Sequence, residues 1–292
     1  MQTKYYQSVL SFLKSSTDLI IEQNHKGSVH SPFHAVHFPE KKITLHFIEI
    51  DKEKLFHLQP DLFSLMSDDA AKHHIKIIHL WEDVWLSHNE AVRLRLLSQL
   101  GISKKVHGRL TEVIKPDKKQ ADDFLDAYHL QQSTNCNSRL GLNYKDELLA
   151  VATFSKSRLM TYEKEVFHSY ELIRFASKSG LSVVGGLSKM ISAFMKEQNA
   201  EHLMTYADRD WSNGDSYRKL GFIKIENTPP QLFWIHPTRM QRYYEHRMPE
   251  DFMNEFNLQK KKTLEDFLIT KGYFKIYNSG NTKFILDLRK KS

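Results

Sequence analysis

A mixed α/β fold in more than one domain is what this sequence predicts, on three observations. At 292 residues the chain is longer than the roughly 100–200 residues of a usual domain. Segments with apolar residues at helical spacing alternate with β-branched and alternating runs along its whole length. Near the middle the pattern is broken by a Lys/Asp-rich stretch containing Pro116, "KPDKKQADD", and the first boundary is placed there, at residues 115/116.

The elements follow in order. "YYQSVLSFLKS" carries Tyr6, Val9, Leu10 and Leu13 on one face and predicts an amphipathic helix. "DLIIEQ", "HAVHF" and "KKITLHFIEI" read as strands, "DLFSLMSDDAAKHH" as a helix, and "IKIIHLWEDVW" as a buried strand running into an acidic end. "NEAVRLRLLSQLGI" is a further helix, closed by Gly101. This order predicts a small α/β sandwich over about residues 1–103.

The second half opens with a helix from Lys118 to Tyr128, then two strands turning at Lys145-Asp146-Glu147. "SYELIRFASK" is a strand, "VVGGLSKMISAFMKEQ" a turn into a helix, "EHLMTYAD" a strand, "GDSYRKL" a short helix and "QLFWIHP" a strand. Residues 238–292 form a basic extension with "RMQRYYEHR", "LQKKKT" and "LRKKS", either a phosphate-contacting surface or a solvated helical face. Within it, "GYFKIYNSGNTKFILDL" predicts a β-hairpin with the turn "NSGN", packed back on the second domain, 116–237.

Composition narrows the classes. Apolar residues are 40% and charged residues 26%, an ordinary globular balance. A formal charge of +7 favours a polyanionic partner or a nucleotide-like cofactor. The single cysteine, Cys136, cannot form an internal disulfide, and no Cys/His set has zinc spacing, which points to a reducing, cytoplasmic compartment and no metal. No run has the roughly 18 apolar residues of a membrane span.

Two motifs carry chemistry. In "VVGGLSKM" a strand end meets Gly185-Gly186 and then Ser188-Lys189 at a helix start. That offers unpaired backbone N–H groups, close approach and a local positive potential, the physics of a pyrophosphate cradle. A tight structural turn is the alternative. In "YADRDWSNGDSYRKLGF" an Asp and an Arg stand at a strand end, and a short helix delivers Tyr217 just before Gly221-Phe222.

These stretches, with "FLDAYHLQ", "ELIRFA" and "PPQLFWI", resemble the GNAT-like acyltransferase domain of phage and mobile-element proteins related to the Mom DNA-modification protein, over Phe124 to Trp234. The resemblance implies acetyl-CoA or another acyl-CoA as cofactor, held by Val184, Gly185, Gly186, Ser188 and Lys189. It implies Tyr217 as the acid that protonates the departing thiolate; a core tyrosine beside Phe222 is the alternative. Asp208 would take a proton from the acceptor amine or orient it, or else pair with Arg174 or Arg209. Arg174, inside an apolar strand, needs a partner, with Glu171, Asp208 or a phosphate as candidates. Tyr206, Arg209, Trp211, Ser212 and His129 fall on the substrate side, Tyr206, Trp211 or Trp234 as stacking surfaces or as core. Gln132 stands where similar proteins commonly carry glycine.

The first domain, on "IKIIHLWEDVWLSHNEAVRLRLLSQLG", resembles a Vsr-type, homing-endonuclease-related fold that commonly precedes such a domain in phage proteins. Nucleases of that kind place carboxylates on adjacent strands to hold magnesium. Here Ala35 and His46 occupy those places, with Glu49 and Asp51 available only on a slipped register, so the resemblance implies a degenerate endonuclease-like sandwich. "WEDVW" is expected to cap the next helix or to pair with Arg93 and Arg95.

The expectation is therefore an acyltransferase-like enzyme in the cytoplasm of a bacterial host, host- or phage-encoded, modifying a base amine of DNA. The alternatives are a non-catalytic DNA-binding protein built from both folds, a residual magnesium-dependent endonuclease, and an acyltransferase for a small amine or protein.

Overall fold

The computed structural model describes residues 3–23, 29–162, 164–259 and 262–289. In chain order, α1 (Lys4–Ser16) precedes β1 (Glu22–Gln23), β2 (Ala35–Phe38) and β3 (Ile43–Ile48). Then come α2 (Lys52–Phe56), α3 (Leu62–Lys72), β4 (Lys76–Trp81), α4 (Glu82–Ser87) and α5 (Asn89–Gln99). β5 (Lys104–His107), β6 (Glu112–Ile114) and α6 (Lys118–Tyr128) lead into β7 (Ser138–Tyr144), β8 (Glu147–Phe154), β9 (Arg158–Tyr162) and β10 (Glu165–Ser177). Next are β11 (Leu181–Val184), α7 (Gly186–Glu197), β12 (His202–Asp208), α8 (Asp215–Lys219) and β13 (Ile223–Asn227). The last are β14 (Leu232–Ile235), β15 (Arg242–Tyr243), α9 (Glu250–Asn257), α10 (Leu264–Thr270), β16 (Phe274–Tyr277) and β17 (Asn281–Asp287).

The fold is mixed α/β and divides into two compact units, neither continuous in sequence. The first comprises residues 1–89, 208–213 and 228–281; the second comprises 90–207, 214–227 and 282–292. This differs from the three consecutive stretches expected (1–115, 116–237, 238–292). Residues 90–115 go with the second unit because β5 pairs with β11 and β6 with β7. The basic extension is split, only its last eleven residues belonging to the second unit.

In the first unit a four-stranded sheet has the order β1-β2-β3-β4, with β3 antiparallel to β2 and parallel to β4. The acid-capped strand end of "WEDVW" is helical from Glu82, so both carboxylates sit in the first turn of α4, where the helix dipole favours them. Glu82 accepts from Ile50 N–H at 2.8 Å, and Asp83 pairs with Arg242, not with the arginines expected. A second sheet, β15-β14-β16, is joined to the first by one apolar cluster in which Phe33, Ile48, Phe63 and Trp81 meet Phe233, Ile235 and Ile276. The hairpin expected over 272–288 does not form. β16 pairs with β14, whereas β17 joins the sheet of the second unit. The intervening turn is held by distant groups instead of by its own ladder: Ser279 N–H donates to Asp210 Oδ1 and Gln231 N–H to Asn278 Oδ1.

In the second unit the main sheet has the order β13-β17-β12-β10-β8-β7-β6, with β9 paired to β10. One face is covered by α7, whose Leu187, Met190, Ile191, Phe194 and Met195 pack on Leu140, Leu142, Phe154 and Leu172. Phe154 and Phe194 stack with ring centroids 3.8 Å apart. The other face meets α6 through Ala121, Phe124 and Leu125 against Val151 and Ala176. α6 starts and ends where its sequence predicts, its start fixed by the reciprocal capping box of Asp117 and Gln120. β7 and β8 turn at Lys145 and Asp146, both left-handed, as a two-residue hairpin demands.

Candidate active site

The fork of the second unit lies between β10 and β12. These parallel strands pair only from Tyr170–Leu172 to Leu203–Thr205, although β10 runs on to Ser177 and β12 to Asp208. Between Leu172 and Arg174 the register of β10 against β8 slips, a bulge at Ile173. Bulges bend a strand and end its pairing, so the bulge and the end of the β10–β12 ladder have one physical cause.

Tyr217, from α8, reaches the base of this fork. Its hydroxyl hydrogen-bonds with the Thr205 side chain, and Thr205 Oγ1 donates to the Leu172 carbonyl at 3.0 Å, at the last paired position. Its ring packs on Phe222 and Phe284, each with centroids 5.6 Å away. Burial raises the phenol above its ordinary value, opposed by the Thr205 hydrogen bond and the Arg95 charge, so it stays protonated at neutral pH. The ring is packed as a core tyrosine's would be, and the hydroxyl faces a polar partner.

The glycine turn opens α7. Gly185 is the residue before α7, left-handed at φ +75°, with no side-chain cap and open space around it. Val184 is 45% exposed and Ser188 is exposed, so the helix start is reachable from solvent. By helix geometry the N–H groups of Gly186, Leu187 and Ser188 lack intrahelical acceptors, and the dipole adds positive potential there. Gly186 itself is buried against Val183 and Leu142. Lys189 departs from expectation: its ammonium is turned to the carbonyls of Gly108 and Thr111, in the short 3-10 turn Gly108–Leu110 and just after it. It braces the glycine turn from behind. Gly108, Thr111 and Thr205 were not singled out in the sequence, and Arg95 only as a partner for the acidic stretch of the first unit; a glycine in "VHGRLT" is no signal until the partner turn is known.

Arg174 finds backbone partners, donating to the carbonyls of Gln132 at 3.2 Å and Ile173 at 3.0 Å, while Glu171 lies 3.5 Å from Arg158. Gln132 is left-handed at φ +54°, the conformation that the glycine of similar sequences would adopt without strain. His129 precedes it. Desolvation, with Arg95 and Arg174 nearby, lowers its pKa to about 3, and its Nδ1 accepts from Gln131 N–H. It is therefore neutral at physiological pH and a poor proton acceptor. Tyr206 is 38% exposed, its phenol raised by desolvation and by Glu171 and Glu226.

The remaining expected residues belong to the first unit. Asp208 Oδ1 accepts from Asp210 N–H at 3.0 Å, and its carbonyl accepts from Trp211 and Ser212. Arg209 is buried and bound to Asp68 at 2.6 Å and to the Ser64 carbonyl at 3.1 Å. Trp211 is 4% exposed and Trp234 fully buried, so neither presents a free stacking face. Asp210, also buried, accepts from Trp81 Nε1 at 3.0 Å.

The nuclease expectation is answered by register. Ala35 pairs with His46, which pairs with His79 on the next strand. The two imidazoles meet Nδ1 to Nδ1 at 3.0 Å, their outer nitrogens on Ser31 and Ser67. Glu49 is engaged by Thr3 and Lys54, and Asp51 caps α2. Among the described residues no group of three or more His, Cys, Asp or Glu is placed to hold a metal ion, and no helix is long and apolar enough to cross a membrane.

No protein-family model matches the chain, and no curated protein matches it. It is distantly similar to solved structures. A GNAT family acetyltransferase from Elizabethkingia anophelis with acetyl-CoA bound shares 12% identity over 61% of this chain and 99% of that one, at a TM-score of 0.35. An acetyltransferase from Bacillus subtilis in complex with CoA shares 17% over 61% and 97%, at 0.33. N-acetylglutamate synthase from Neisseria gonorrhoeae, complexed with coenzyme A and N-acetyl-glutamate, shares 10% over 84% and 51%, at 0.27.

Proposed function

We propose that the second unit transfers an acyl group from acyl-CoA, acetyl-CoA by default, to an amine, and that the amine belongs to nucleic acid. The observation that carries the acyl-transfer reading is the Tyr217 hydroxyl at the base of the β10–β12 fork. The glycine turn that opens α7 belongs to the same unit.

The residues present fit the cofactor. Gly185 leaves open space at an uncapped helix start, where a pyrophosphate would meet backbone N–H groups and the helix dipole. The β10–β12 ladder ends at Leu172, and the strand edge beyond it would hold an extended amide-bearing chain. When bound, acyl-CoA supplies the activated acyl group. Tyr217 holds a proton for the leaving sulfur, a general-acid task worth about 10²–10⁴-fold. Neutral His129 and the Arg174 brace fix the 129–132 turn beside the bulge.

Charge supports the nucleic-acid half of the reading. The first unit carries 18 Lys/Arg against 19 Asp/Glu, the second 24 against 16, so the basic excess lies wholly in the unit with the fork. The same observation favours the second reading, a nucleic-acid-binding protein without transfer. The two separate in one experiment: DNA and RNA oligonucleotides are incubated with protein and radiolabelled acetyl-CoA, then digested to nucleosides for mass spectrometry. An acylated nucleoside that disappears with Tyr217→Phe supports the proposal. Salt-sensitive oligonucleotide binding with no label transferred to nucleic acid sinks its nucleic-acid half.

A further inference from the structure

A row of cations lies beside the glycine turn of the second unit. The segment "KKVHGRL", Lys104 to Leu110, holds two lysines, a histidine and an arginine and no acidic residue. Lys104, Lys105, His107 and Arg109 are all exposed. Among the described residues no carboxylate pairs with any of the four, whereas Lys115, Lys118, Lys119 and Lys178 of the same unit each hold one. The row is therefore positive charge that the chain itself leaves unmatched.

Strand register puts the row at the turn. β5 runs parallel to β11, with Lys105 beside Ser182, Val106 beside Val183 and His107 beside Val184. Val106 and Val183 pack into the core of the unit, so the alternation of a strand turns Lys105 and His107 to the opposite, solvent side. Gly108 then touches the turn itself, since a Cβ there would stand 3.1 Å from the Gly186 nitrogen. His107 and Arg109 are the residues on either side of that contact. Lys189, the cation that the sequence places at the turn, is engaged by the Gly108 and Thr111 carbonyls. On the solvent side the positive charge comes from β5 and the short turn after it instead.

Acyl-CoA carries two kinds of phosphate. Its pyrophosphate suits the backbone N–H groups of a glycine turn and needs no cationic side chain. Its ribose 3′-phosphate is a monoester, with a charge of about −1.5 to −2 at neutral pH and three strong acceptor oxygens. That group calls for side-chain cations: an arginine fork takes two of the oxygens at once, and a lysine adds a compact point charge.

We propose that Arg109 and Lys105, with His107 between them, hold the ribose 3′-phosphate of acyl-CoA and make the protein select the phosphorylated cofactor. This rests on the acyl-CoA reading of the glycine turn and adds to it a set of specificity-determining residues from an element outside the main sheet.

The test is calorimetric titration of CoA, 3′-dephospho-CoA and an eight-residue oligothymidylate into the full chain. It is repeated with Arg109→Ala, Lys105→Ala and, as control, Lys196→Ala in the last turn of α7. All three side chains are exposed, so the variants should keep the fold, which thermal unfolding checks. Wild type should bind CoA roughly tenfold or more tighter than 3′-dephospho-CoA. Arg109→Ala should remove most of that preference by weakening CoA alone, Lys105→Ala should weaken CoA by about two- to fivefold, and Lys196→Ala should change neither ligand. Equal affinity for the two cofactors, or a preference that Arg109→Ala leaves intact, overturns the inference while the acyl-CoA reading stands. Oligothymidylate binding that Arg109→Ala weakens, with CoA affinity unchanged, assigns the row to nucleic acid and also overturns it. No binding of either cofactor at millimolar concentration overturns the acyl-CoA reading itself, and the inference with it.

Discussion

Gly108 lies against Gly186 so closely that a Cβ on Gly108 would stand 3.1 Å from the Gly186 nitrogen and 3.0 Å from the Val184 carbonyl oxygen. The 3-10 turn at Gly108 is thus the back wall of the glycine turn that opens α7, and Lys189 ties the two together through the Gly108 carbonyl. Gly108→Ala should push the turn by a few tenths of an ångström, costing about 1–3 kcal/mol of stability and weakening CoA binding. Urea unfolding and ligand titration of the variant measure both. Unchanged affinity would mean that the wall does not shape the cradle.

Tyr217→Phe keeps the ring packing on Phe222 and Phe284 and removes only the hydroxyl at Thr205. Turnover should fall by about 10²–10⁴-fold while CoA affinity and unfolding midpoint barely move. Equal loss of affinity and turnover would assign the hydroxyl to binding instead.

Arg242 stands over Trp81 and pairs through two nitrogens with Asp83, which is 1% exposed. Arg242→Ala leaves that carboxylate buried without its cation, and should cost about 3–5 kcal/mol, read by chemical denaturation. Arg242→Ala paired with Asp83→Ala should recover part of the loss.

His46 and His79 give the first unit an acid limit. Burial lowers both, His46 further by its neighbour and His79 to about 3. The unfolded chain therefore binds protons near pH 6.5 that the folded chain refuses. Stability is full above about pH 6.5 and falls as pH drops from there toward 3, by at most about 1.4 kcal/mol per unit for each group. Urea midpoints at pH 7.5 and 5.0 test this, and His79→Gln should flatten the slope.

Legibility in the sequence tracked locality. The capping box at Asp117 and Gln120 and the hairpin at Lys145-Asp146 are written in neighbouring residues, and both elements form where they were expected. The strand "ELIRFA" and the glycine turn before α7 were legible for the same reason. The partners were not. Arg174 binds Gln132, Arg209 binds Asp68, and Asp83 binds Arg242, contacts spanning 42, 141 and 159 residues that no periodicity signals. The expected hairpin over 272–288 failed likewise, because Asp210 and Gln231 hold its turn while β16 and β17 pair with strands of different sheets.

The most direct measurement is calorimetric titration of acetyl-CoA and CoA into the wild-type chain and into Ser188→Glu. Ser188 is exposed in the first turn of α7, so a carboxylate there suits the helix dipole and preserves the fold while occupying the anion position. The acyl-CoA account predicts micromolar binding by the wild type that the variant loses. No heat at millimolar ligand, or binding indifferent to Ser188→Glu, would contradict it.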